Sequence, residues 1–156
     1  MFIHTNRLLM GDQQTAAATV LGQAFAKDSF MAYVLPDANT RVQQLTKLFL
    51  PLIRCSQRYG GVDITAGGGG VLAWVPGKVF SSPIKFLELF RSGMLWIPGL
   101  VGLSAFKRLK VHDDVCEHAL IQHAPKDFAY IWAVGVHPDQ AGKGLGKQMI
   151  QSALND

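Results

Sequence analysis

Two cysteines in 156 residues, Cys55 and Cys116, are too few for a disulfide framework. Free thiols in a reducing compartment are expected, and with them a cytoplasmic location. Charge is scarce as well. Charged residues make 17% of the chain against 49% hydrophobic, which excludes a disordered polymer and requires a substantial core. No apolar run reaches the roughly 18 residues of a membrane-spanning helix. The opening residues Met1-Phe-Ile-His-Thr-Asn-Arg7 lack the continuous apolar stretch of a secretory signal. There is no internal repeat and no linker-like shift in composition, so residues 1–156 are expected to form a single domain.

What is present is an alternation of helical and strand patterns. Residues 2–10 predict a short first strand. Asp12 is a plausible N-cap for a helix through about Phe25, with Val20, Leu21, Ala24 and Phe25 at helical spacing. A loop containing Pro36 and Asp37 separates it from a second helix, from about Thr40 to Arg58. That helix is expected to bury Val42, Leu45, Leu48, Phe49, Leu52 and Ile53, and to kink or split at Pro51. After Gly60-Gly61, the runs 62–65 and 71–75 flank Gly67–Gly70 and predict a hairpin with a loose glycine tip. Residues 83–122 read as mostly helical with a break near Pro98-Gly99. Residues 128–136 read as a fully buried strand and 145–155 as a helix. The order predicts a mixed α/β (α+β) fold.

The most informative segment joins that last strand to that last helix: Val134-Gly-Val-His-Pro-Asp-Gln-Ala-Gly-Lys-Gly-Leu-Gly-Lys147. A strand, a glycine-rich turn and a helix start present free backbone N–H groups at a positive dipole end, a geometry suited to phosphate or pyrophosphate. Two familiar phosphate motifs fail here. The dinucleotide pattern G-x-G-x-x-G places Lys147 where its third glycine belongs. The P-loop pattern places Ala141 at its first glycine and Gln148 at its hydroxyl residue.

A third pattern fits. V-x-V-x-P followed by G-x-G-[IL]-G resembles the acetyl-CoA loop of the GNAT N-acetyltransferase superfamily, with Val134, Val136, Pro138, Gly142, Gly144, Leu145 and Gly146 in register. Ala141 departs from the Gln or Arg usual before the first glycine. Gly70-Val-Leu-Ala-Trp-Val-Pro-Gly77 resembles the third strand of one branch of that superfamily, and Ala24-Phe25 with Asp28-Ser-Phe30 resembles the segment after its first helix.

The resemblance implies a GNAT-like acyl-CoA N-acyltransferase fold, a central mixed sheet flanked by helices, with the usual C-terminal strands missing from this chain. It also implies an acetyl-CoA-dependent N-acetyltransferase that acts on a primary amine, small or peptidyl, without a metal. The alternative is a non-catalytic coenzyme-A-binding module or a half-domain completed by a partner chain or by a homodimer. By the same resemblance, backbone groups of Val134 and Val136 would meet the pantetheine arm. The turn Ala141, Gly142, Lys143, Gly144, Leu145, Gly146 and Lys147 would hold the pyrophosphate. No general base or acid is identifiable. Tyr130, read as a packed core aromatic, and His137, read as an exposed turn residue, are the nearest titratable groups.

Two further segments invite a function. Residues 93–106 are apolar but interrupted by Pro98 and glycines. Lys78, Lys85 and Arg91 precede them and Lys107, Arg108 and Lys110 follow, with Glu88 the one acid between 78 and 110. A pair of helices packed as a lid near the acceptor site is expected there. The competing reading rests residues 84–110 on a membrane surface. The net charge of +4 favours a polyanionic coenzyme without implying specific nucleic-acid binding. In residues 112–118, His112 would share a helical face with Cys116, and Asp114 with His118. These are two separate pairs with no third ligand, and a solvated helix end is expected rather than a metal site.

Overall fold

The first helix is built on small and branched residues at helical spacing. In the computed structural model, which describes residues 2–3, 9–81, 90–125 and 127–155, α1 spans Gly11–Ala24 and buries Ala17, Ala18, Leu21 and Gly22. Met10, rather than Asp12, is its N-cap. The Gln13 side chain accepts the Met10 N–H at 3.1 Å, and Asp12 lies in the first turn, where its charge faces the positive helix end. Gly22 lets α1 lie close against α3, since a Cβ there would stand 3.0 Å from the Val42 carbonyl oxygen.

The expected loop after α1 contains a short helix, α2 (Ser29–Val34). The Asp28 carboxylate caps it by accepting the Met31 N–H at 2.9 Å. The next helix, α3, runs unbroken from Arg41 to Tyr59 with Pro51 inside it. A mid-helix proline costs about 3 kcal/mol, yet Leu45, Phe49 and Ile53 are buried along this helix against α1 and the sheet. Packing on both sides of Pro51 offsets the lost hydrogen bond, so the predicted split does not occur.

The strands are β1 (Phe2–Ile3), β2 (Gly61–Thr65), β3 (Gly70–Pro76) and β4 (Ala129–Val136), in the order β1-β2-β3-β4. All pairings described are antiparallel. Residues 4–8 of the expected first strand lie outside the described residues. The β2–β3 hairpin forms as expected, closed by the Thr65 side chain, whose Oγ1 accepts the Gly70 N–H at 2.8 Å. Helices α1 and α3 cover one face of the sheet through Leu21, Leu45, Ile53, Val71 and Ala73. The last helix, α7 (Leu145–Asn155), covers the other, and its Met149 is 1% exposed over the space left by Gly70.

β3 and β4 are out of register at one point. Ala73 pairs with Ala133 but Trp74 pairs with Ile131, so Trp132 is an inserted residue, a β-bulge. β4 is also not fully buried. Only Ala133 and Gly135 are, because β4 is the outermost strand described and its flank is open.

The helical region before β4 breaks at glycines rather than at Pro98-Gly99. After α4 (Lys78–Ser81), residues 82–89 of the expected helix lie outside the described residues. Gly93 (φ +88°) and Gly102 (φ +87°) bound a 3₁₀ turn, Met94–Trp96, and α5 (Ile97–Val101). Pro98 sits in the first turn of α5, where no N–H is needed. Helix α6 (Leu103–His123) follows, packed on α5 and α2, while α5 packs on α3. No described helix is long and apolar enough to cross a membrane.

Candidate active site at the end of the fourth strand

The site starts from the direction of the backbone amides of β4. His137 N–H donates to the Gly69 carbonyl at 2.8 Å, so amides at odd positions near this end turn toward β3. Alternation then turns the amides of Val134 and Val136 to the outer edge, which pairs with no described strand. At the other end Gly77 N–H donates to the carbonyl of Phe128, the even-numbered residue just before β4, at 2.7 Å. The change of parity along the strand is the bulge at Trp132.

Beyond β4 the chain makes a 3₁₀ turn, Pro138–Gln140, and reaches Ala141 in extended conformation. Gly142 and Gly144 then take left-handed conformations (φ +79° and +74°), with Lys143 between them at negative φ. Such alternation of φ sign is the backbone signature of an anion nest. Both glycines are exposed, and a Cβ on either would meet no protein atom within 4 Å. They are therefore required by conformation, and the space beside them is open to a ligand. α7 begins directly after them. Its first helical bond is Gln148 N–H to the Gly144 carbonyl at 3.0 Å, and the first-turn amides before it have no intrahelical acceptor. Gly146 lies in α7, where a Cβ would make only ordinary contact with Val136. Lys143 Nζ donates to Gln140 Oε1 at 2.7 Å, and Lys147 is exposed.

The hairpin tip completes this corner, a juxtaposition the sequence does not display. Gly67 and Gly69 share a cavity of about 250 Å³ with Thr65, Gln140 and Gln148. A Cβ on Gly69 would lie 2.8 Å from Gln140 Cγ, so the tip is held against the turn that precedes the nest.

The two titratable candidates fare differently. His137 is partly buried rather than exposed, with 27% of its side-chain surface accessible. Its Nδ1 accepts the Asp139 N–H at 3.2 Å, which leaves the neutral ring's proton on Nε2 and makes the imidazole a turn cap. Tyr130 is not a packed core residue. It is half-buried and lines a second cavity of about 410 Å³ between β4, α5 and α6. Burial first, then the nearby Cys116 and Asp113, push its phenol above the ordinary tyrosine range, so the hydroxyl stays protonated and able to donate at neutral pH.

In residues 112–118, Cys116 Sγ lies 3.7 Å from His112 Nε2, while Asp114 pairs with Lys110 and His118 with Gln122. Among the described residues no three His, Cys, Asp or Glu side chains converge as metal ligands.

Residues 87–156, which hold α5, α6, β4, the glycine nest and α7, match the family model described as the acetyltransferase (GNAT) family. With a glycine turn at the head of α7 and helices flanking the sheet, this region of the chain is similar to the GNAT superfamily, a family of acetyltransferases.

Proposed function

We propose that the chain is an acetyl-CoA-dependent N-acetyltransferase whose acceptor is a primary amine. The observation that carries this reading is the pair of open, left-handed glycines at the head of α7, beside a strand edge with outward amides. Amides from Gly142 to Lys147 would hold the pyrophosphate, with the Lys143 and Lys147 ammonium groups adding charge; the Ala141 N–H is taken by the Pro138 carbonyl. The outer edge at Val134 and Val136 would pair with the pantetheine amides, as an added strand does. Acetyl-CoA supplies the activated thioester. In the net reaction the amine loses a proton, its nitrogen forms a bond to the acetyl carbon, and the carbon–sulfur bond breaks to release free thiol. An outward N–H at the strand edge would stabilise negative charge on the carbonyl oxygen.

Calorimetric titration of acetyl-CoA into the purified chain, with its oligomeric state measured in the same buffer, tests the binding. An amine screen for thiol release tests the chemistry. Saturable binding with amine-dependent thiol release is the expected result. Binding with no thiol release from any amine would reduce the chain to a coenzyme-binding module, and no binding by a folded chain would overturn the site.

Ala141→Gln is expected to tighten acetyl-CoA binding several-fold. Ala141 is exposed at the entry to the nest, where an amide side chain adds one hydrogen bond to a charged phosphate oxygen, worth about 1.5–3 kcal/mol before the cost of ordering an exposed side chain. An unchanged dissociation constant would show that the backbone alone holds the anion.

A further inference from the structure

The cavity between β4 and the helices α5 and α6 has a lining whose charge opposes that of the chain as a whole. The chain carries a net +4, yet among the described residues the acidic and basic side chains lining this cavity are Asp113, Asp114 and Glu117 against Lys110. Asp114 is engaged by Lys110 one turn earlier on α6. Asp113 stands 3.5 Å from His112 Nδ1, so a protonated His112 would weaken its field and a neutral one would not. The rest of the wall is apolar: Phe106 from α6, Ile97 and Pro98 from α5, and Trp132 from the strand. At about 410 Å³ the volume suits a small molecule rather than a protein segment.

Trp132 ties this cavity to the proposed chemistry. It is the bulged residue, two positions before Val134, whose amide faces the outer edge where the thioester would lie. A molecule in the cavity therefore reaches β4 next to the acetyl position.

We infer that this cavity is the acceptor site and selects a primary amine carried on an apolar or aromatic body with a second positive charge. The reading rests on the acetyltransferase assignment for which amine reacts, but the cavity's preference is measurable without it. The reacting amine would lie by Trp132 and Tyr130, the body against Phe106 and Ile97, and the distal cation by Asp113 and Glu117 on α6. A monoamine brings no second cation to Asp113 and Glu117, and a flexible aliphatic diamine leaves the apolar wall uncovered.

The test uses three probes: p-xylylenediamine (dication, aromatic body), benzylamine (monocation, same body) and 1,4-diaminobutane (dication, no aromatic body). Binding to the full chain is measured by calorimetry without coenzyme, and kcat/KM for thiol release with it. p-Xylylenediamine is expected to bind about tenfold more tightly than either of the others, the scale of one or two solvated charge contacts plus the ring. Its advantage over benzylamine should shrink as salt rises from low to physiological. Asp113→Asn with Glu117→Gln should erase that advantage while the affinity for acetyl-CoA stays unchanged. Equal binding of all three probes, or a preference that survives the double substitution, overturns the inference. Absence of acetyl-CoA binding alongside selective diamine binding would overturn the transferase reading and leave the cavity's specificity standing.

Discussion

Gly144→Val is expected to lower acetyl-CoA affinity by more than a hundredfold while the chain remains folded. Gly144 has φ +74°, a conformation that costs an L-residue about 1–2 kcal/mol, and valine's branched Cβ tolerates it least. A Cβ placed there meets no protein atom within 4 Å, so packing is not disturbed and the melting temperature should fall by only a few degrees. The ligand side is different. Hydrogen bonds from amides to a charged phosphate are worth about 1.5–3 kcal/mol each, and a valine side chain would occupy the concavity or force the peptide to turn away. Losing two such bonds corresponds to a hundredfold or more. Calorimetry and a thermal melt on one preparation decide it. An affinity within threefold of the parent would remove the nest from the proposed site.

The opposite outcome is expected at Gly60, the C-cap of α3. Gly60→Ala should cost about 3 kcal/mol or more, a large share of the roughly 5–15 kcal/mol that holds a domain together. A Cβ on Gly60 would overlap the Trp74 carbonyl oxygen and stand 2.7 Å from Val75 Cα. Both are backbone atoms of β3, which is hydrogen-bonded on both sides, and neither can rotate out of the way. The end of α3 would have to move off the strand, opening the packing of Cys55 and Ile53. A chemical denaturation curve with the midpoint unchanged would show that this close approach does not contribute to stability.

The glycine turn was more legible in the sequence than the fold around it. The nest depends on the conformation of a few consecutive residues and on a helix start, and Gly142, Gly144 and the apolar spacing of 145–155 record both locally. The strand edge at Val134 and Val136 was implied by the resemblance alone, and the structure turns their amides outward because no bulge falls between them and His137. The break of the helical region was misplaced at Pro98 because proline suits a first turn as well as a break, and Gly93 and Gly102 supply the reversals. The helix α2 was missed because six residues carry too little periodicity to register. Its cap, Asp28, was in plain view.

On its own the sequence determined the alternation of helices and strands, the hairpin across Gly67–Gly70 and the glycine turn that opens the last helix, all of which follow from dihedral preferences and periodicity within short windows. The continuity of α3 through Pro51 was decided by tertiary structure, because burial of Leu45, Phe49 and Ile53 offsets a local penalty. Tertiary structure also decided the face of Tyr130. Strict alternation puts it with Val134 and Val136. The inserted Trp132 shifts the strand by one, so Tyr130 pairs with Val75 and shares the side of Ala133, which pairs with Ala73. That shift exists only in the register between two strands far apart in sequence. It turns both aromatics of β4 into the cavity that α6 lines with carboxylates.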